Sequence, residues 1–146
     1  MKPRQIRGDV FWMGAIDWNR RLFDSLIPLP DGTSYNAYLV KGDEKTALID
    51  TVDPALFETL KRQLAEVPRV DYLVAQHAEQ DHAGSIPAVL AMYPEAVVVC
   101  TPKAKPLLID HLGLDEARIR TVADGETLAL GGKTLMPPMD VPGVGR

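Results

Sequence analysis

One cysteine in 146 residues leaves no partner for an internal disulfide. No covalent staple can hold the fold, and the chain suits a reducing, cytoplasmic setting. Aromatic residues are scarce at 6%, and neither lysine nor arginine forms a run; acidic residues outnumber basic ones by 20 to 16, for a formal charge of −4. A nucleic-acid surface needs the opposite, a basic face, so that partner class is excluded. Long apolar runs are missing too: nothing approaches the roughly 20 residues that cross a bilayer. The N-terminal MKPRQIRGDVFWMG starts basic, but Gly8 and Asp9 interrupt it before an apolar core forms, so it does not read as a secretory signal. What remains is 46% hydrophobic and 25% charged, the balance of a globular chain of about one domain's length.

Apolar spacing and the breakers between apolar runs give the elements. Residues 5–13 read as an opening strand through Ile6, Val10, Phe11 and Trp12, and residues 14–33 as loop, broken by Pro28, Pro30 and Asp31-Gly32. Residues 34–40 and 46–51 read as strands joined at KGDEK, where Gly42-Asp43 suits a hairpin turn. Asp53 caps a helix with Pro54 at its first position; Leu56, Leu60, Leu64 and Val67 give it an apolar face, and Pro68 stops it. Residues 70–76 read as a strand, 85–93 as a short helix, and 96–100 (AVVVC) as a strand buried on both faces. A helix over 105–112 ends at Gly113, and 119–122, 127–130 and 133–135 read as closing strands. Hairpin strands followed by alternating helix and strand predict an α/β fold, a mixed sheet with helices packed on it. Residues 136–146, MPPMDVPGVGR, depart from that pattern, so the domain is expected over 1–135 with an irregular tail.

The stretch HAEQDHAGS, residues 77–85, follows the apolar run YLVA and gathers His77, Glu79, Asp81 and His82. Alternate side chains of an extended segment share a side, so His77, Glu79 and Asp81 can converge; Asp81 and His82 need a bend, which Gly84 allows. The carboxyl end of a strand is where open α/β sheets hold their ligands. Imidazole and carboxylate arms placed there suit one or two divalent metals, and two of each favour iron or manganese over zinc. His111, the remaining histidine, lies in LLIDHLG with no second ligand at useful spacing, so it reads as packed or surface. Cys100 reads as a buried thiol.

With these residues in view, the sequence resembles the flavodiiron proteins (A-type flavoproteins), whose first domain is a metallo-β-lactamase-like αββα sandwich. The likeness rests on SYNAYLVKGDEKTALIDTVDP (34–54), DYLVAQHAEQDHAGSIP (71–87) and AVVVCTPKA with the helix after it. The wider superfamily carries His-x-His-x-Asp-His; flavodiiron proteins have glutamate in place of the second histidine, as Glu79 is here, which sets iron oxidoreductases apart from zinc hydrolases. The resemblance implies that His77 and Glu79 bind one iron and Asp81 and His82 the second, and that Gly84 is a packing residue. Gln76 stands where the family usually has asparagine. It further implies reduction of dioxygen to water or of nitric oxide to nitrous oxide. Electrons would come from FMN in a flavodoxin-like domain, fed by a redox donor such as rubredoxin or a flavoprotein reductase, commonly in head-to-tail homo-oligomers.

The family completes its site with a later histidine, a bridging aspartate and a further histidine, and no histidine follows His111 here. Asp140 is the late carboxylate with a claim, and takes no family role. The resemblance covers residues 1–135, mainly the first sheet of the sandwich and its helices. It implies an incomplete domain, a half-complete diiron site and no turnover by this chain alone. Two other readings stay open. One is a metal-dependent hydrolase of a thioester, ester or lactam, against which Glu79 argues; the other is a non-catalytic metal-binding fragment.

Overall fold

Gly8 takes a φ of 50°, and the chain turns back on itself there, so the segment expected as one strand is a hairpin. β1 (Arg4–Arg7) pairs antiparallel with β2 (Val10–Trp12). The computed structural model describes residues 2–23 and 25–137. The loop expected over 14–33 carries β3 (Ala15–Asp17), β4 (Leu22–Phe23) and β5 (Ile27–Pro28), with β4 and β5 paired to each other. The strand expected over 34–40 is two: β6 (Thr33–Tyr35) pairs with β3, and β7 (Tyr38–Lys41) joins β2. Asn36 and Ala37 form the step between sheets. Trp12 Nε1 donates to Asn36 Oδ1 at 2.9 Å, and the Met13 amide to the Ala37 carbonyl at 2.7 Å. Alternating polarity read these residues as one strand because it carries no signal for a change of partner.

From here the expected alternation holds. β8 (Thr46–Ile49) closes a hairpin with β7. Asp53 Oδ1 then accepts from the Ala55 amide at 2.9 Å, starting a 3-10 turn (Pro54–Leu56) that runs into α1 (Phe57–Leu64). β9 (Tyr72–Val74), α2 (Gln80–Ala83), α3 (Ile86–Met92), β10 (Val97–Cys100) and α4 (Ala104–Leu112) follow. Gly113 ends α4 in the left-handed region, donating its amide to the Ile109 carbonyl at 2.9 Å. β11 (Ile119–Thr121) and the β12–β13 hairpin (Leu128–Ala129, Thr134–Leu135) complete the described chain. In this stretch α2 and a 3-10 turn over Glu116–Arg118 were not foreseen.

Seven strands form the main sheet in the order β1-β2-β7-β8-β9-β10-β11, antiparallel up to β8 and parallel from β8 to β11. Register puts Leu39, Leu48, Leu73 and Val98 in one row across four strands. That row faces the helices: it packs with Leu60 and Leu64 of α1, Ile86 and Val89 of α3, and Leu108 of α4. Each such buried aliphatic side chain contributes about 1.5–3 kcal/mol of transfer free energy.

The neighbouring row, Ile49, Val74 and Val99, points the other way and meets Val122, Leu128 and Leu135. The β12–β13 hairpin covers part of this second face, and a cavity of about 160 Å³ lies beside it, lined by Tyr38, Ile49, Val74 and Met136 among others. Among the described residues no second large sheet lies against that face, so the architecture is a first sheet with its helices, as the resemblance implied. No helix among them is long and apolar enough to cross a membrane. Residues 138–146, which include Asp140, lie outside the described residues.

Candidate metal centre

Parallel pairing of β8 and β9 brings their carboxyl ends side by side, and every candidate ligand lies just beyond them. β8 stops because Asp50 takes a φ of 54°, left-handed backbone that aspartate tolerates better than most residues. This turn points the carboxylate across to the start of the motif: Asp50 Oδ1 accepts from the Gln76 amide, and Oδ2 from Gln76 Nε2, both at 2.9 Å. Asp50 is buried. Burial pushes its carboxyl above the usual range, opposed by the Gln76 hydrogen bonds and by the nearby His77 and His82. The glutamine that departs from the family's asparagine thus ties the start of the candidate motif to Asp50.

The backbone runs extended only as far as Glu79 (φ −66°, ψ 137°) and then enters α2. This corrects the expectation of one alternating face for His77, Glu79 and Asp81. The helical turn begins at Gln80, earlier than the bend anticipated at Gly84, and it moves Asp81 away from the extended row and toward His82. Gly84 itself has an ordinary helical φ of −62°. Its value is space, since a Cβ there would sit 2.5 Å from the Gln80 carbonyl oxygen and 2.8 Å from Pro54 Cγ.

The result is two imidazole–carboxylate pairs. His77 Nε2 lies 3.5 Å from Glu79 Oε2, and His82 Nε2 lies 3.3 Å from Asp81 Oδ2. The two imidazole rings face each other at 4.5 Å between centroids. Two donors about 2.1 Å from one ion can stand an N···O separation of this size apart. The donor chemistry therefore fits a divalent ion. Completeness is another matter: among the described residues, no group of three or more His, Cys, Asp or Glu side chains gathers to hold one. Asp81 and His82 are the more enclosed pair, and Glu79 is 55% exposed. His111 is exposed on the last turn of α4 and pairs with none of these side chains.

Several residues around the pairs escaped the sequence reading. Thr51 holds the His82 carbonyl with both its amide (2.9 Å) and its hydroxyl (2.5 Å), and Ser85 Oγ donates to the Val52 carbonyl at 2.7 Å. Tyr35, from β6, stands edge-on to His82. Arg20 reaches Asp53 at 3.5 Å, and with Phe23, Glu79, Gln80 and Asp81 these two line a cavity of about 270 Å³ beside the site. The clearest missed signal was Asp50-Thr51, two polar residues ending the apolar strand TALI. Arg20 and Phe23 lie in a segment read as featureless loop, where nothing marked them.

Comparison with known proteins gives the family and the fold. A family model described as ODP family beta lactamase matches residues 33–137. The nitric oxide reductase of Moorella thermoacetica is 38% identical over 138 residues, covering 92% of this chain and 34% of that protein. Among solved structures, the flavodiiron protein of Giardia intestinalis superposes with a TM-score of 0.85 at 30% identity, over 93% of this chain and 34% of its own. Rubredoxin oxygen:oxidoreductase of Desulfovibrio gigas superposes at 0.86 with 37% identity, over 92% and 34%. The chain thus spans about a third of the length of the relatives it matches. It belongs to the ODP beta-lactamase family of the flavodiiron proteins and corresponds to part of their metallo-β-lactamase-like domain.

Proposed function

We propose that this chain is part of a flavodiiron-type oxidoreductase, in which His77 and Glu79 hold one iron and Asp81 and His82 a second. The observation that carries the reading is the sorting of four side chains into two imidazole–carboxylate pairs, 3.5 and 3.3 Å apart, around facing rings. Relatives named nitric oxide reductase and rubredoxin oxygen:oxidoreductase support it. Bound iron would supply the site at which dioxygen or nitric oxide is reduced, with the electrons delivered from FMN. The chain's own residues do the positioning. Asp50 and Gln76 anchor the start of the ligand loop, Thr51 fixes the His82 backbone, and Arg20 and Phe23 wall the cavity open to Glu79 and Asp81.

Among the described residues, two protein ligands per metal is fewer than the roughly three or four of closed metal sites. The 146-residue chain therefore binds iron weakly and does not turn over alone. Catalysis belongs to a longer polypeptide with FMN in its own domain, a donor such as rubredoxin or a flavoprotein reductase, and subunit pairing that brings flavin to iron.

Anaerobic titration with ferrous iron, followed by metal analysis, tests the site. Glu79→Ala should weaken binding about tenfold or more while His111→Ala leaves it unchanged. Equal losses would place the metal elsewhere. Hydrolysis of a thioester or lactam by the zinc-loaded chain would instead support the hydrolase reading, against which Glu79 in an imidazole position weighs.

A further inference from the structure

Two separate parts of the chain wall the cavity of about 270 Å³ beside the candidate ligands. One side holds Asp53, which caps the 3-10 turn before α1, together with Glu79 and Asp81 from the start of α2. The other holds Arg20 and Phe23, from the segment that runs between β3 and β6. Little joins the two sides.

Residues 18–32 bond mainly among themselves. Asp17 Oδ1, at their root, accepts from the Asn19 and Arg20 amides, both at 3.0 Å. β4 pairs with β5, and the Leu29 amide donates to the Arg21 carbonyl at 2.8 Å. Among the described residues, one polar contact of this segment reaches past the β3–β6 root to the rest of the fold: Arg20 Nη1 lies 3.5 Å from Asp53 Oδ2. Both partners are held for it. Arg20 Nε donates to the Leu22 carbonyl at 3.0 Å, and the Ala55 amide occupies Asp53 Oδ1, which leaves Oδ2 for the guanidinium. Trp18, Leu22, Leu26 and Ile27 are exposed, so apolar packing adds little hold. The arginine side chain is 38% exposed and the aspartate 16%, and an ion pair so open to water is weak. That strength suits an entrance which opens and closes rather than a fixed joint.

We propose that Arg20 is a positioning residue whose contact with Asp53 latches the β4–β5 segment across the cavity and governs entry to Asp81. The two candidate carboxylates in the cavity differ as a latch would have them: Glu79 is 55% exposed and Asp81 only 18%. The purpose, admitting a divalent metal ion to the Asp81–His82 pair, rests on the metal reading. The latch itself belongs to the metal-free chain and is tested there.

Labelling of carboxylates with a cationic carbodiimide and an amine, read by mass spectrometry, follows Asp81 directly. Glu79 serves as the open reference, and buried Asp50 reports any loss of fold. Arg20→Gln and Asp53→Asn each break the pair, and asparagine still caps the helix. They change the charge of the cavity in opposite directions. Charge alone would speed a cationic reagent in Arg20→Gln and slow it in Asp53→Asn, whereas release of the latch speeds both. Asp81 labelling should rise about two- to fivefold in each variant, the range set by a weak exposed pair, with Glu79 and Asp50 unchanged. The double variant should rise no further than either single one, because the two substitutions remove the same contact. Cobalt(II) uptake should quicken in both single variants. Asp81 labelling that is unchanged in both, or slowed by Asp53→Asn, would overturn the proposal. A chain that takes up no cobalt(II) while Asp81 labelling still responds to both substitutions would overturn the metal reading and leave the latch standing.

Discussion

Asp50→Ala isolates what holds the ligand loop in place. The substitution removes two hydrogen bonds to Gln76, one to its amide and one to its side chain, both 2.9 Å. Hydrogen bonds to a charged acceptor are worth roughly 1.5–3 kcal/mol each, but two discounts apply. Gln76 is exposed, so its freed donors turn to water. The buried carboxylate also carries a desolvation cost, evident in its raised pKa, which alanine relieves. Against these stands the backbone, because alanine at a φ of 54° adds about 1 kcal/mol of strain. The balance is a loss of about 2 kcal/mol, or about 1 M in the urea midpoint at a typical slope for a chain of this size. Asp50→Asn keeps an acceptor for the Gln76 amide and tolerates the backbone, so it should lose about half as much. Asp50→Gly should fall between, its difference from alanine reporting the strain. Equilibrium urea unfolding measures all three. An Asp50→Ala chain within about 0.5 kcal/mol of wild type would refute the claim that this carboxylate anchors the loop.

Gly84→Ala should destabilise the fold by about 1–3 kcal/mol, because the added methyl group meets the Gln80 carbonyl oxygen and the Pro54 ring. Gly113→Ala, with nothing within 4 Å but a φ of 65°, should cost only its backbone strain, about 1 kcal/mol. A Gly84→Ala loss no larger than that at Gly113 would remove the packing argument. Cys100 makes a prediction in pH. Burial pushes its thiol up to about 11, with Lys105 opposing, against an unfolded value of about 8.5. The folded state thus retains the proton, so the thiol's contribution to stability is present below pH 8.5 and is lost as pH rises toward 11. Iodoacetamide at pH 8 should leave the native chain unmodified and label it in denaturant; rapid labelling of the native chain would show the thiol accessible.

Local chemistry was the part most readable from the chain. Asp53-Pro54 started its helix as capping predicts, Gly113 ended α4 with a left-handed residue, and AVVVC became a strand flanked by parallel neighbours. The candidate site was legible as a composition, four ligand-type side chains in six residues beyond a strand. Its geometry was not. Alternation treated residues 77–81 as extended, whereas α2 begins at Gln80 and pairs Asp81 with His82.

Asp50, Thr51 and Tyr35 come from β8 and β6 and reach the ligand loop only because the strands pair as they do. The sequence by itself determined which residues turn, cap, bury and carry ligand atoms, since those preferences act over a few bonds. Tertiary structure alone decided which of them meet. Strand order and register bring Asp50 to Gln76, 26 positions apart, and no local preference records a contact made across that distance.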